Sequence, residues 1–186
     1  MHEFDEKKME EGMRIFLEGM GVDTNDQHIK NTPSRVMRAW RDSFGAGYQT
    51  TPDDVLNVEF ADDYDQMIVV KDIPFMSFCA HHVVPFTGTA KIGYIPSDGR
   101  ITGLSKLARV LYCFAQRLQI QERLTRQVAD AIQEKLNPKA VGVVLSAEHM
   151  CMTRRGVQAP GSMTVTSCLL GNFRDEPETR AEFLNF

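Results

Sequence analysis

Two stretches with apolar residues at helical spacing follow one another directly in this chain, and that adjacency most constrains the fold. Residues 105–118 carry Leu107, Val110, Leu111 and Phe114, and residues 121–136 carry Leu124, Val128, Ala131, Ile132 and Leu136. Stretches rich in β-formers lie on both sides, at 55–60, 66–73 and 86–95 before the pair and at 141–152 and 163–170 after it. A parallel sheet needs a crossover helix after each strand, whereas hairpin-linked strands interrupted by one helix pair do not build such crossovers. The order therefore predicts an α+β chain, an antiparallel sheet covered on one face by helices.

Punctuation residues supply the rest of the outline. Ser97-Asp98-Gly99 forms a turn, Ser105 is suited to cap the first helix of the pair, and Asn137-Pro138 stops the second. Ahead of the strands, Met9, Met13, Phe16 and Met20 recur on one side of a first helix. Thr32-Pro33 then opens a second, with Val36, Met37 and Trp40 as its stripe until Gly45 and Gly47. Residues 1–50 thus read as a helical arm and 51–186 as the sheet-forming domain, closed by a short helix at 178–184.

At 186 residues, 42% hydrophobic and 25% charged, the chain suits one folded domain. A net charge of −4 supplies no global field for nucleic acid or anionic lipid, so an anion site must be a local gathering of cations. No apolar run is long enough to cross a bilayer, and the acidic start Met1-His2-Glu3-Phe4-Asp5-Glu6 does not fit a secretory signal; a cytoplasmic protein is expected. In that compartment Cys79, Cys113, Cys151 and Cys168 are better suited to metal, catalysis or packing than to disulfides.

Three of the five histidines stand beside cysteines, in Cys79-Ala80-His81-His82 and His149-Met150-Cys151. Thiolate and imidazole are zinc's preferred ligands; Cys79, His82 and Cys151 make three, leaving the fourth position open as in catalytic rather than structural sites. Each residue alone reads as an ordinary buried thiol or satisfied imidazole, but the joint clustering favours metal. If 141–152 is a continuous strand, His149 and Cys151 share a face, and His149 becomes a candidate proton donor. Met76, Met150 and Met152 read as packing, and Cys113 and Cys168 as core.

Cations gather at Lys106 and Arg109, beside Ser105 on a helix start, at Arg35 and Arg38, and at Arg154-Arg155. A helix start suits phosphate, while solvated surface charges are the plainer explanation for each group taken singly. Gln121-Glu122 heads a helix, where a carboxylate is a favourable dipole partner or, alternatively, an acceptor for the two adjacent N–H groups of a guanine edge.

These motifs together resemble the GTP cyclohydrolase I family over nearly the whole length. The match runs through Val70-Lys71-Asp72-Ile73, Cys79-Ala80-His81-His82, Gly93-Tyr94-Ile95-Pro96, Gly103-Leu104-Ser105-Lys106-Leu107-Ala108-Arg109, Gln119 to Thr125, His149-Met150-Cys151-Met152, Arg155-Gly156-Val157 and Thr179-Arg180 with Glu182-Phe183-Leu184. The resemblance implies a tunnelling fold with an antiparallel four-stranded sheet and two helices on one face. It implies one zinc per subunit on Cys79, His82 and Cys151, and conversion of GTP to 7,8-dihydroneopterin triphosphate and formate. It also implies proton transfers by His81 and His149, ribose opening aided by Ser105, and triphosphate contacts from Lys106, Arg109 and Arg155, with Arg35 and Arg38 nearby. Gln121 and Glu122 would read guanine, in a homodecamer whose sites form between subunits. Ala80 departs from the family's usual acidic residue. The competing readings are another tunnelling-fold purine or pterin enzyme, such as a nitrile reductase with a cysteine nucleophile and NADPH, and a non-catalytic homologue stapled by zinc.

Overall fold

The structure is a computed structural model that describes residues 3–57 and 59–186. Met1, His2 and Val58, which enter the expectations above, lie outside the described residues. Helices α1 (Glu6–Gly19) and α2 (Thr32–Ala39) come first, followed by a π-helical turn at Trp40–Phe44 and a 3-10 turn at Ala46–Gln49. Asp5 caps α1 by accepting from the Lys8 N–H at 3.0 Å. α2 starts at Asn31 without a side-chain cap, and Thr32 lies inside the helix instead of capping it. The first helix buries none of its residues, and Phe16 and Met20 are exposed.

The expected strand at 55–60 is mostly something else. Thr51 and Asp54 form a capping box around Pro52, which nucleates the one-turn helix α3 (Pro52–Val55) and leaves only β1 (Glu59–Ala61) as strand. The next strand is longer than expected: β2 (Ile68–Cys79) runs through Pro74, where a break was anticipated. β2 has a sheet neighbour on its second side only at Phe78 and Cys79, which leaves that edge open at Pro74, a setting in which a strand tolerates proline. A bulge between Val70 and Ile73, with Asp72 at φ +57°, adjusts the register just before it.

β3 (Pro85–Ile95) pairs antiparallel with β2, and β4 (Arg100–Thr102) pairs with β1. The helix pair follows as α4 (Leu104–Ala115) and α5 (Gln121–Leu136). Between them the two-residue β5 (Leu118–Gln119) joins β2 in parallel. Gly103, not Ser105, occupies the N-cap of α4, so Ser105 is the second helical residue and is exposed. Then come β6 (Ala140–His149), the helical turn α6 (Met150–Thr153), β7 (Thr164–Gly171), α7 (Asn172–Asp175) and α8 (Pro177–Asn185).

The main sheet has the order β5-β2-β3-β6-β7, with all long pairings antiparallel. Alternation along the strands sends Ile73, Phe75, Ile92, Val141, Val143 and Leu145 to one face, where they meet Leu107, Val110, Leu111, Leu124, Val128 and Ile132 of α4 and α5. The opposite face holds a smaller cluster in which Phe173 and Phe183 stack at 4.7 Å. The arm meets the sheet through Trp40 and Phe44, each about 5 Å from the Phe78 ring (4.8 and 4.9 Å). No helix among the described residues is long and apolar enough to cross a membrane.

Candidate metal centre

Cys79 is the last residue of β2, and its N–H and carbonyl anchor the turn that follows. The N–H donates to the Val84 carbonyl at 2.9 Å, and the carbonyl accepts from His82 and Val83 at 3.3 and 2.8 Å. The turn swings both imidazoles back: His81 Nδ1 and His82 Nδ1 lie 3.7 and 3.8 Å from Cys79 Sγ. Cys151 arrives from the end of β6, which lies beside β3 through the Phe86–His149 register pair. The ligand atoms of Cys79, His82 and Cys151 all lie within 4.8 Å of one another.

That donor set fits a zinc-like ion. Tetrahedral Zn–S and Zn–N bonds place neighbouring ligand atoms about 3.5–3.8 Å apart, so the trio needs to contract by no more than roughly 1 Å. Burial, followed by the adjacent Cys79, pushes the Cys151 thiol up from its ordinary range, which keeps it protonated when no cation is beside it. Two neighbouring thiolates would need a cation between them, and a metal ion would supply it. All four cysteines are free.

The geometry corrects the sequence argument for His149. β6 ends at His149 and the chain turns helically through Met150–Thr153, so Cys151 is not on the strand and the shared-face reasoning does not apply. His149 is instead placed by packing and one hydrogen bond. Its ring lies flat on the buried Phe86, with centroids 4.5 Å apart and planes 3° apart. Its Nε2 is 2.7 Å from Gln121 Oε1. Burial lowers the His149 pKa from its ordinary value, and the negative charge of Glu122 partly opposes this. Phe86 escaped the sequence reading because only strand register shows that it faces His149.

The family model described as GTP cyclohydrolase I matches residues 9–186. Among curated relatives, GTP cyclohydrolase 1 of Carboxydothermus hydrogenoformans is 51% identical over 178 residues, covering 96% of this chain and 92% of the relative. That of Mycobacterium tuberculosis is 49% identical over 183 residues, covering 98% and 90%. The chain belongs to the GTP cyclohydrolase I family. Its tunnelling fold is the antiparallel sheet with α4 and α5 on one face described above. A third relative, GTP cyclohydrolase 1 of Streptomyces avermitilis, is 51% identical over 184 residues, covering 98% and 90%.

In this GTP cyclohydrolase I family member the residues singled out from sequence fall into separate groups. Cys79, His81, His82, His149, Gln121, Glu122, Cys151 and Arg155 lie at one end of the sheet: Glu122 is in electrostatic reach of His149, and Arg155 of Cys151. Ser105, Lys106 and Arg109 do not join them. α4 begins at its far end and reaches the metal end only near Ala115, about 17 Å along at the helical rise. Lys106 there donates from Nζ to Asn57 Oδ1 at 2.9 Å, while Ser105 and Arg109 are exposed. Arg35 and Arg38 are exposed on α2, which packs on α1 and the π-helical turn.

Two smaller points complete the site. Ala80 keeps the local backbone intact, its N–H donating to the Gln119 carbonyl at 2.9 Å, and its side chain is exposed. Alanine there adds no charge beside the centre, and the candidate ligand trio does not include it. Met76, Met150 and Met152, read from sequence as packing, are 40%, 37% and 39% exposed within one chain.

Proposed function

We infer that this protein hydrolyses and rearranges GTP to 7,8-dihydroneopterin triphosphate and formate, a first step toward pterins and folates, in the cytoplasm and with one zinc ion per chain. The observation that carries the reading is the convergence of the Cys79, His82 and Cys151 donor atoms beside His149 and the Gln121-Glu122 helix start. Zinc held by the three ligands would supply Lewis acidity toward the water that adds at C8 of the base.

The chain's own groups do the remaining work. Glu122 accepts from the guanine N1–H and the exocyclic amino group, a pairing that adenine does not offer. His149 passes a proton to N7 as the imidazole ring opens, and His81, beside the centre but outside the ligand trio, serves the ribose ring oxygen with Ser105. Arg155, Lys106 and Arg109 bind the triphosphate, with Arg35 and Arg38 near its outer end. The residues 1–50 arm and the 51–186 domain are assigned to assembly and catalysis respectively.

Because α4 begins a helix length from the metal end, we assign Ser105, Lys106 and Arg109 to the site of a neighbouring copy, in a homodecamer with sites between subunits. Incubation of the zinc-loaded protein with GTP tests the activity: formate and a fluorescent pterin after oxidation are expected. A protein that holds zinc and releases neither has a structural metal only. Subunit mixing tests the assembly. Cys151→Ala and Arg109→Ala, each inactive alone, should regain activity when dissociated and reassembled together; no recovery would place all groups of one site on one chain.

A further inference from the structure

Gln121 is 1% exposed, and its side chain is consumed inside the protein. Nε2 lies 3.1 Å from the Leu145 carbonyl, 3.0 Å from the Thr164 carbonyl and 3.1 Å from Thr166 Oγ1. Two of these partners are backbone oxygens that only accept, so the amide atom facing them has to be the nitrogen; the reversed amide would set oxygen against two oxygens. The hydroxyls complete one consistent direction. Thr125 Oγ1 donates to the Gln121 main-chain carbonyl at 2.7 Å. It therefore accepts from Thr166 Oγ1 at 2.6 Å, and the Thr166 oxygen shares one of the two Nε2 hydrogens with a carbonyl.

With the amide fixed this way, Gln121 Oε1 is the atom 2.7 Å from His149 Nε2. That oxygen carries no hydrogen, so the hydrogen of this short contact sits on His149 Nε2. Phe86, flat against the imidazole at 4.5 Å, holds the ring plane while the hydrogen bond sets its rotation. Among the described residues no group bonds His149 Nδ1. The two strands that hold the amide, β6 and β7, are paired through this stretch, with Leu145 opposite Thr166 and Ala147 opposite Thr164, so the acceptor cannot drift.

We propose that Gln121 is a positioning residue for His149: it fixes the neutral imidazole as the Nε2–H tautomer and leaves Nδ1 as the nitrogen that exchanges a proton with the substrate. This rests on the GTP reading for the identity of the substrate, but the tautomer itself does not. It also takes the Gln121 side-chain amide out of guanine recognition, since its two N–H donors are shared among Leu145, Thr164 and Thr166. Buried partners that orient a working histidine are held to similar geometric demands around metal sites.

The test is a ring-nitrogen NMR spectrum of the metal-loaded protein labelled with 15N at histidine, the His149 signals being assigned by their loss in His149→Ala. Wild type should show a protonated Nε2 and a bare Nδ1. In Gln121→Leu the fixed tautomer should give way to a mixture, with kcat lowered about ten- to hundred-fold and KM for GTP within roughly twofold. A protonated Nδ1 with a bare Nε2 in wild type overturns the proposal, whether or not the variants fold. So does a Gln121→Leu protein with raised KM and unchanged kcat, which would return the side chain to guanine binding. A wild type that forms no pterin would defeat the GTP reading and leave the tautomer to be decided by the spectrum.

Discussion

Gly142 offers the sharpest structural test of how the sheet is closed on the side away from α4 and α5. It sits in β6 opposite Gly93 of β3, and together they leave a flat patch on which the Phe183 ring rests. A Cβ built on Gly142 would lie 2.5 and 2.7 Å from Phe183 Cε1 and Cζ and 3.0 Å from Phe173 Cδ2. Neither ring has room to retreat: both are 0% exposed and they stack on each other at 4.7 Å. Ordinary carbon contact is about 3.5–4.0 Å, so the added methyl demands a shift approaching 1 Å from a packed pair. Overpacking of this kind costs about 1–3 kcal/mol, and we expect Gly142→Ala near 2. For a chain of this size that corresponds to a fall in Tm of roughly 4–8 °C. Thermal unfolding by circular dichroism, at matched protein concentration and metal loading, reads the effect. Phe183→Leu should cost less in the Gly142→Ala background than in wild type, because the clash has already displaced the ring. Zinc content should not change, since Gly142 lies seven residues along β6 from His149, about 23 Å in extended chain. A Gly142→Ala protein melting within 1 °C of wild type would mean that Phe183 is not seated on this patch.

Three further outcomes bear on the centre itself. Cys151→Ala should lose most of the one zinc per chain measured by elemental analysis, and full retention would remove Cys151 from the ligand set. Glu122→Gln should keep its metal yet raise KM for GTP about tenfold or more, as an acceptor for two N–H groups becomes partly a donor; unchanged affinity would exclude Glu122 from base recognition. His149→Ala and His81→Ala should each retain zinc while pterin formation falls roughly a hundred- to ten-thousand-fold, and loss of zinc in step with activity would make that histidine a ligand.

How much of this was legible in the sequence depended on whether the signal was local. The helix at 121–136 was read with its observed bounds, because its apolar stripe is unbroken and Asn137, at φ +44°, ends it in the left-handed conformation. Cys79 and His82 were legible for a similar reason, as a turn of three residues brings them together whatever the rest of the chain does. β2 was cut short at Pro74 because a proline's tolerance depends on which strand lies beside it, and the sequence does not show that β5 reaches only Phe78 and Cys79. The strand expected to continue through Cys151 failed at Met150, where no glycine or proline marks the change to a helical turn. The burial of the Gln121 side chain was not legible, because it depends on tertiary partners. Its partners come from β6 and β7, more than twenty residues away in sequence.

The sheet order explains why the candidate site gathers at one end and the cations of α4 lie at the other. Cys79 closes β2, Phe86 is the second residue of β3, and His149 closes β6 directly opposite Phe86, so residues some seventy positions apart in sequence meet across two pairings. The parallel pairing of β5 with the last residues of β2 then sets Gln119 against Cys79, which starts α5 at that same end and delivers Gln121 and Glu122 to His149. The same connection fixes the direction of α4. Its C-terminal end must reach β5 at the metal end, so its start, with Ser105, Lys106 and Arg109, is forced to the other. Moving those cations toward their own chain's metal would require reversing α4, which would break the short link to β5 that positions α5. Under the proposed assembly a neighbouring copy resolves the conflict, because two oppositely placed ends of one subunit can each meet a complementary end of another without any change in the fold of either.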